Sequence, residues 1–138
     1  MKYRANIPWM YLDWNNQAPQ YARVVPSEPG IVYYRGQDPG MVNWVDCLLM
    51  FDENLELVGI LNMFNFDFPP LEKKGNVTMF TRPDRLRRGI GAALMDEARR
   101  RWVVDFDRQS FTREGAAFAN RYVQQRSLMD GSSRVSGS

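Results

Sequence analysis

From residue 31 onward, short β-rich runs alternate with turn residues, and then the period changes. The run "IVYY" (31–34), bounded by Gly30 and Gly36, predicts a short strand. The runs "VNWVDCLLMF" (42–51) and "LELVGILNMF" (55–64) flank Asp52-Glu53-Asn54. Two β-rich runs around a three-residue polar turn predict an antiparallel hairpin. A further strand, "NVTMFT" (76–81), is stopped by Pro83. Beyond it Ile90, Leu94, Ala98 and Trp102 lie four apart, the spacing of one buried helical stripe starting near Gly89. Asp96–Arg100 and Glu97–Arg101 are acid-before-base pairs at i,i+4 on its exposed face.

A second helix is expected from a Thr112 cap, with Phe111 and Ala116 as a hydrophobic staple and Phe118, Ala119, Tyr122 and Val123 as the buried face. The small polar stretch after Leu128 reads as a disordered tail. Residues 1–30 set Trp9, Tyr11, Trp14 and Tyr21 among Pro8, Pro19, Pro26 and Pro29, a loop-rich lead-in whose aromatics cover a core. The expected organisation is therefore a lead-in (1–30), a domain (31–126) and a tail (127–138).

Composition narrows the chemistry. The 138 residues suit one compact domain, and 44% apolar with 25% charged residues is the balance of an ordinary globular protein. No run is apolar enough for a bilayer span, and the start lacks a signal-peptide pattern, so no membrane partner and cytoplasmic residence are expected. The lone Cys47 excludes an intrachain disulfide. The chain has no histidine, which removes triads using a histidine base, Cys-His nucleophiles and the His-x-x-x-His zinc helix. Proton transfer must use carboxylates, Tyr, Lys, water or the substrate.

Charge divides the chain. Residues 1–81 carry six basic and nine acidic side chains, whereas residues 82–126 carry eleven arginines and six acids. Seven of those arginines lie in "RPDRLRRGIGAALMDEARRRW" (82–102). Arg99 to Arg101 sit at the helix C-terminus and offset its dipole; the other four precede the helix. A helix start presents unpaired N–H groups and a positive dipole end, and glycine lets an anion approach them. "RLRRGIG" thus gathers bare amides and arginines at a candidate phosphate site. No Walker sequence is present. Leu94 stands where a dinucleotide fingerprint needs Gly or Ala, and the strand ends too early for its tight turn.

"TRPDRLRRGIGAALM" resembles the acyl-CoA-binding motif of the GNAT superfamily of N-acetyltransferases: a strand, Pro, Arg/Gln-x-x-Gly-x-Gly/Ala, then a striped helix. The resemblance covers roughly 42–125, most securely 77–98. It implies an α/β (α+β) fold with a mixed, mostly antiparallel sheet and a central CoA-binding strand-loop-helix, lacking the family's last two strands. It implies acetyl-CoA as the acyl donor, its pyrophosphate on Arg87, Arg88, Gly89, Ile90, Gly91 and Ala92, and its pantetheine arm along Met79, Phe80 and Thr81. The acetyl group would pass directly to an amine acceptor, with no enzyme nucleophile.

The sequence departs from the pattern at three places. Leu86 occupies the leading Arg/Gln position, between Arg85 and Arg87. Aligning Thr112 and Gly115 with the family's Asn-x-x-Ala-x-x-x-Tyr puts Ala119 at the Tyr position, leaving Tyr122, one turn on, as the candidate acid. Nothing after Val123 reads as strand, which implies an open sheet edge and a homodimer covering it. Glu72 is the nearest upstream carboxylate and so the candidate base; Glu53 and Glu56 belong to the hairpin, and a water chain is the alternative. Two other readings stand beside the enzyme: a GNAT-like binding module without catalysis, and a basic nucleic-acid-binding protein.

Overall fold

A computed structural model of the chain describes residues 2–6, 13–37, 44–64 and 74–137. The fold is mixed α+β, with a four-stranded antiparallel open sheet and three α-helices among the described residues. Two compact units are present: Tyr11–Gln109, which holds the sheet, and Met1–Met10 together with Ser110–Ser138.

The first unit contains α1 (Trp14–Gln17), β1 (Gly30–Gln37), β2 (Trp44–Phe51), β3 (Leu57–Met63), β4 (Val77–Thr81) and α2 (Ile90–Arg101). The strands lie in the order β1-β2-β3-β4, each antiparallel to the next. The expected sheet was mixed, with the strand before the arginine loop at its centre; here, among the described residues, β4 has a strand on one side only and is an edge.

The hairpin forms where the hydrophobic runs place it, but its turn is wider than three residues. Asp52 Oδ1 accepts from Asn54 N–H (2.9 Å) and Glu56 N–H (3.0 Å), while Asp52 N–H donates to Glu56 C=O (2.9 Å). Closing that ring requires Leu55 at φ 62°, so β3 starts at Leu57 instead of Leu55. A local carboxylate that bonds backbone two and four residues on outcompetes the strand ladder.

Strand alternation splits the apolar residues between two faces. On one face Leu94, Met95 and Ala98 of α2 are buried, and the helix is drawn close by Gly59. A Cβ there would stand 2.6 Å from Ile90 Cγ2 and 2.9 Å from Leu94 Cδ1, so a side chain at this position would force those residues of the helix to shift. Trp102 ends the stripe in an extended conformation, its ring 6.3 Å from that of Tyr33. On the other face Val45, Cys47, Leu49, Phe51, Ile60 and Phe64 pack with Tyr21, and Trp14 and Ala18 lie against them. Asp13 caps α1, its Oδ1 accepting from Asn16 N–H at 3.1 Å. The described part of the lead-in therefore covers a core, as expected; Trp9 and Tyr11 lie outside the described residues.

This second face also buries a polar hub. Asn62 Oδ1 accepts from the Tyr21 hydroxyl (2.8 Å) and the Cys47 thiol (3.2 Å), and its Nδ2 donates to Thr78 Oγ1 (3.1 Å) and Gln17 Oε1 (3.4 Å). All of its capacity is used, so hydrogen bonds within the protein offset the cost of burying the amide.

In the second unit α3 (Arg113–Gly137) begins at Thr112, whose Oγ1 accepts from Gly115 N–H at 3.1 Å. Phe111 and Ala116 are buried beside that cap. The N-terminal segment is strapped to the unit by Asn120, whose side chain accepts from Tyr3 N–H and donates to Tyr3 C=O, both at 2.8 Å. Backbone helix continues to Gly137, through the stretch whose composition suggested a disordered tail. No proline interrupts it.

Candidate anion site at the start of α2

β4 leads into a 3-10 turn, Pro83–Arg85, and then into the Gly89 entrance of α2. The two arginines nearest β4 are tied down. Arg82 forms a two-point contact with Asp84 (Nε–Oδ1 2.7 Å, Nη2–Oδ2 3.2 Å) and reaches Glu56 Oε2 at 3.1 Å. Arg85 Nη2 lies 3.1 Å from Asp52 Oδ2, a charge contact without hydrogen-bond alignment. Bonding from Arg82 holds the Asp84 carboxyl below its ordinary value, and Asp84 in turn raises the guanidinium of Arg82. The Asp52 carboxyl is also lowered, first by the Glu56 N–H and less by Arg85. The hairpin turn thus anchors the beginning of the loop.

The next residues differ. Arg87 (φ 65°) and Gly89 (φ 78°) are both left-handed, which turns the chain sharply into the helix. Arg87, Arg88 and Gly89 are exposed, and neither arginine forms an ion pair among the described residues. Gly89 supplies no side-chain cap, and a Cβ on it would meet nothing within 4 Å. Its glycine is needed for the backbone angle and leaves the approach clear. The first intrahelical bond runs from Ala93 N–H to Gly89 C=O, so the amides of Ile90, Gly91 and Ala92 precede the ladder. Uncapped amides, a positive helix end and two exposed guanidiniums are the features with which a protein can hold an anion, which makes this a candidate site.

Beside it, β4 exposes backbone. Phe64 N–H bonds Asn76 C=O and Arg82 N–H bonds Val58 C=O on the β3 side. Val77 instead uses both its backbone groups on the opposite side, with the Gln109 side chain (3.0 and 2.8 Å). Antiparallel alternation therefore turns the N–H and C=O of Met79 and Thr81 outward as well, and those of Phe80 toward β3. Of the three residues expected along a ligand arm, Met79 and Thr81 have the backbone direction to pair with it; Phe80 does not, and its side chain packs into the core.

Tyr122 belongs to α3 in the other unit, where its buried ring stacks on Phe118 (5.7 Å between centroids) beneath the Arg126 guanidinium (4.8 Å). Glu72 lies outside the described residues. Glu56 binds Arg82, and Glu53 is exposed on the hairpin turn. At the far end of α2, Glu97 takes both Arg100 and Arg101 (2.7 Å to Arg101), replacing the expected Asp96–Arg100 pairing, and its carboxyl is lowered by them. Among the described residues no cluster of His, Cys, Asp or Glu could hold a metal ion, and no helix is long and apolar enough to cross a membrane.

Sequence reasoning missed the Asp52–Arg85 and Glu56–Arg82 links and Gln109. The acidic turn "DEN" beside a strand-following arginine run was a usable signal for the first; Gln109 offered none. Comparison with models of known families, with curated proteins and with solved structures finds no match to this chain.

Proposed function

We propose that the chain is an acetyl-CoA-dependent N-acetyltransferase of the GNAT type. The observation that carries this reading is the uncapped start of α2 flanked by exposed Arg87 and Arg88, next to the outward backbone of Met79 and Thr81. A diphosphate suits the first feature: Ile90, Gly91 and Ala92 offer amides, and the two arginines add charge-assisted contacts. An amide-bearing arm suits the second, pairing as an added strand would. An outward N–H of β4 would polarise the thioester carbonyl, where negative charge develops as an amine attacks. The C–N bond then forms, the C–S bond breaks, the thiolate takes up a proton and the ammonium loses one to water or a carboxylate. Tyr122 is the candidate proton donor to the thiolate and Glu72 the candidate acceptor from the amine. A homodimer covering an open sheet edge, the amine acceptor and cytoplasmic residence belong to the same proposal, with β1 as the edge that a second copy would cover.

A CoA-binding module without catalysis is favoured by one observation, Ala119 at the position where the family has its Tyr. The nucleic-acid reading is weakened because Arg82, Arg85, Arg100 and Arg101 are occupied by carboxylates. Calorimetry with acetyl-CoA and desulfo-CoA tests the site: binding of both at micromolar to millimolar ligand is expected, and no binding of either ends the proposal. Thiol release across a panel of amines then separates enzyme from module. Tyr122→Phe at full activity would remove that residue from the mechanism.

A further inference from the structure

The open edge of β4 is closed at one end by a side chain where another sheet would use a strand. After α2 the chain passes β4 in the same direction, Asp105 N–H bonding Gly75 C=O (2.9 Å) before Gln109 reaches Val77. Between these points it makes a 3-10 turn, Phe106–Arg108, and among the described residues no strand lies alongside. Gln109 stands in for one peptide unit: its Oε1 accepts from Val77 N–H and its Nε2 donates to Val77 C=O. A neutral carboxamide is the side-chain group that answers both at once. Past Val77, the outward positions are Met79 and Thr81, about 7 Å apart, with no further partner among the described residues. Pro83 comes two residues later.

We propose that Gln109 is a positioning residue that sets the length of this edge, so that it accepts a short chain bearing two amides and rejects a polypeptide strand. The ligand half rests on the transferase reading, because the arm of CoA carries two amides joined by a two-carbon spacer. The strand-rejecting half stands without it: an edge limited to two positions gives a second copy of the chain too few hydrogen bonds to add to the sheet.

Amide exchange by NMR on the full chain, with sedimentation velocity alongside, decides both halves. In the wild type the Val77 amide should be protected while Met79 and Thr81 exchange fast, and CoA should slow those two. In Gln109→Ala, Val77 should exchange about five- to tenfold faster, and the chain should self-associate in a manner that CoA reverses. Gln109→Glu, which keeps the acceptor but loses the donor, should shift Val77 the same way and serves if the alanine variant does not fold. Unchanged Val77 protection or unchanged association in the folded variants would overturn the cap. CoA binding that leaves Met79 and Thr81 unprotected would overturn the ligand half. A wild type that binds no CoA, with the Val77 shift present, would remove the transferase reading and leave the cap standing.

Discussion

The four arginines ahead of α2 form two pairs that the same loop treats oppositely. Arg82 and Arg85 point back to carboxylates on the β2–β3 turn and on the loop itself, and their charge is spent on holding the loop against the sheet. Arg87 and Arg88, a little further along the chain, are exposed and free of ion pairs among the described residues. A basic run is thus not a basic surface. The acidic turn of an earlier hairpin decides which arginines stay out of ion pairs among the described residues, and they are the two nearest the uncapped amides of the helix.

The largest effect should come from the helix entrance beside the exposed pair. Gly89→Glu places negative charge at the amides and forces a side chain onto φ 78°; CoA affinity should fall more than about 100-fold, close to 3 kcal/mol. Gly89→Asn, which tolerates left-handed backbone, should lose less than about tenfold, separating charge from strain. Next, Arg87→Ala with Arg88→Ala should weaken CoA by about tenfold and move the melting temperature by no more than about 2 °C. Arg82→Gln should do the reverse, lowering the melting temperature measurably with the smaller effect on calorimetric affinity. If both pairs behave alike, the division between them is wrong.

The smallest effect is acid sensitivity. The Asp52, Asp84 and Glu97 carboxyls are held below their ordinary values of 3.8, 3.8 and 4.5. Groups lowered by folding stabilise fully above those ordinary values, and the stabilisation is lost as pH falls through the lowered ones. With no histidine in the chain, thermal melts should be nearly flat from about pH 5 to 7 and fall below about pH 4. Arg82→Gln should flatten that acid limb, because it removes the main cause of the Asp84 shift.

Legibility in the sequence depended on how local each cause is. The hairpin, β4 and α2 could be read because period-2 and period-4 runs carry their own burial pattern, and Thr112 because a cap acts within one turn. The hairpin turn was read too short because Asp52 acts through its side chain on amides four residues away. The edge position of β4 was not readable, since strand order depends on the chain beyond α2, and "VVDFDRQ" gave a 3-10 turn and one glutamine. The candidate anion site was visible as Gly89 and its arginines. The division of those arginines was not, because Asp52 and Glu56 meet them across the sheet, from a turn that precedes β3 in the chain.

The central claim is that the first amides of α2 hold a diphosphate. Tracking the backbone amides by NMR during a titration with CoA tests it most directly. Large shifts at Gly89, Ile90, Gly91 and Ala92, with Arg87 and Arg88 guanidinium signals moving and those of Arg82 and Arg85 still, are the predicted result. Saturable binding that leaves those four amides unmoved would contradict the account.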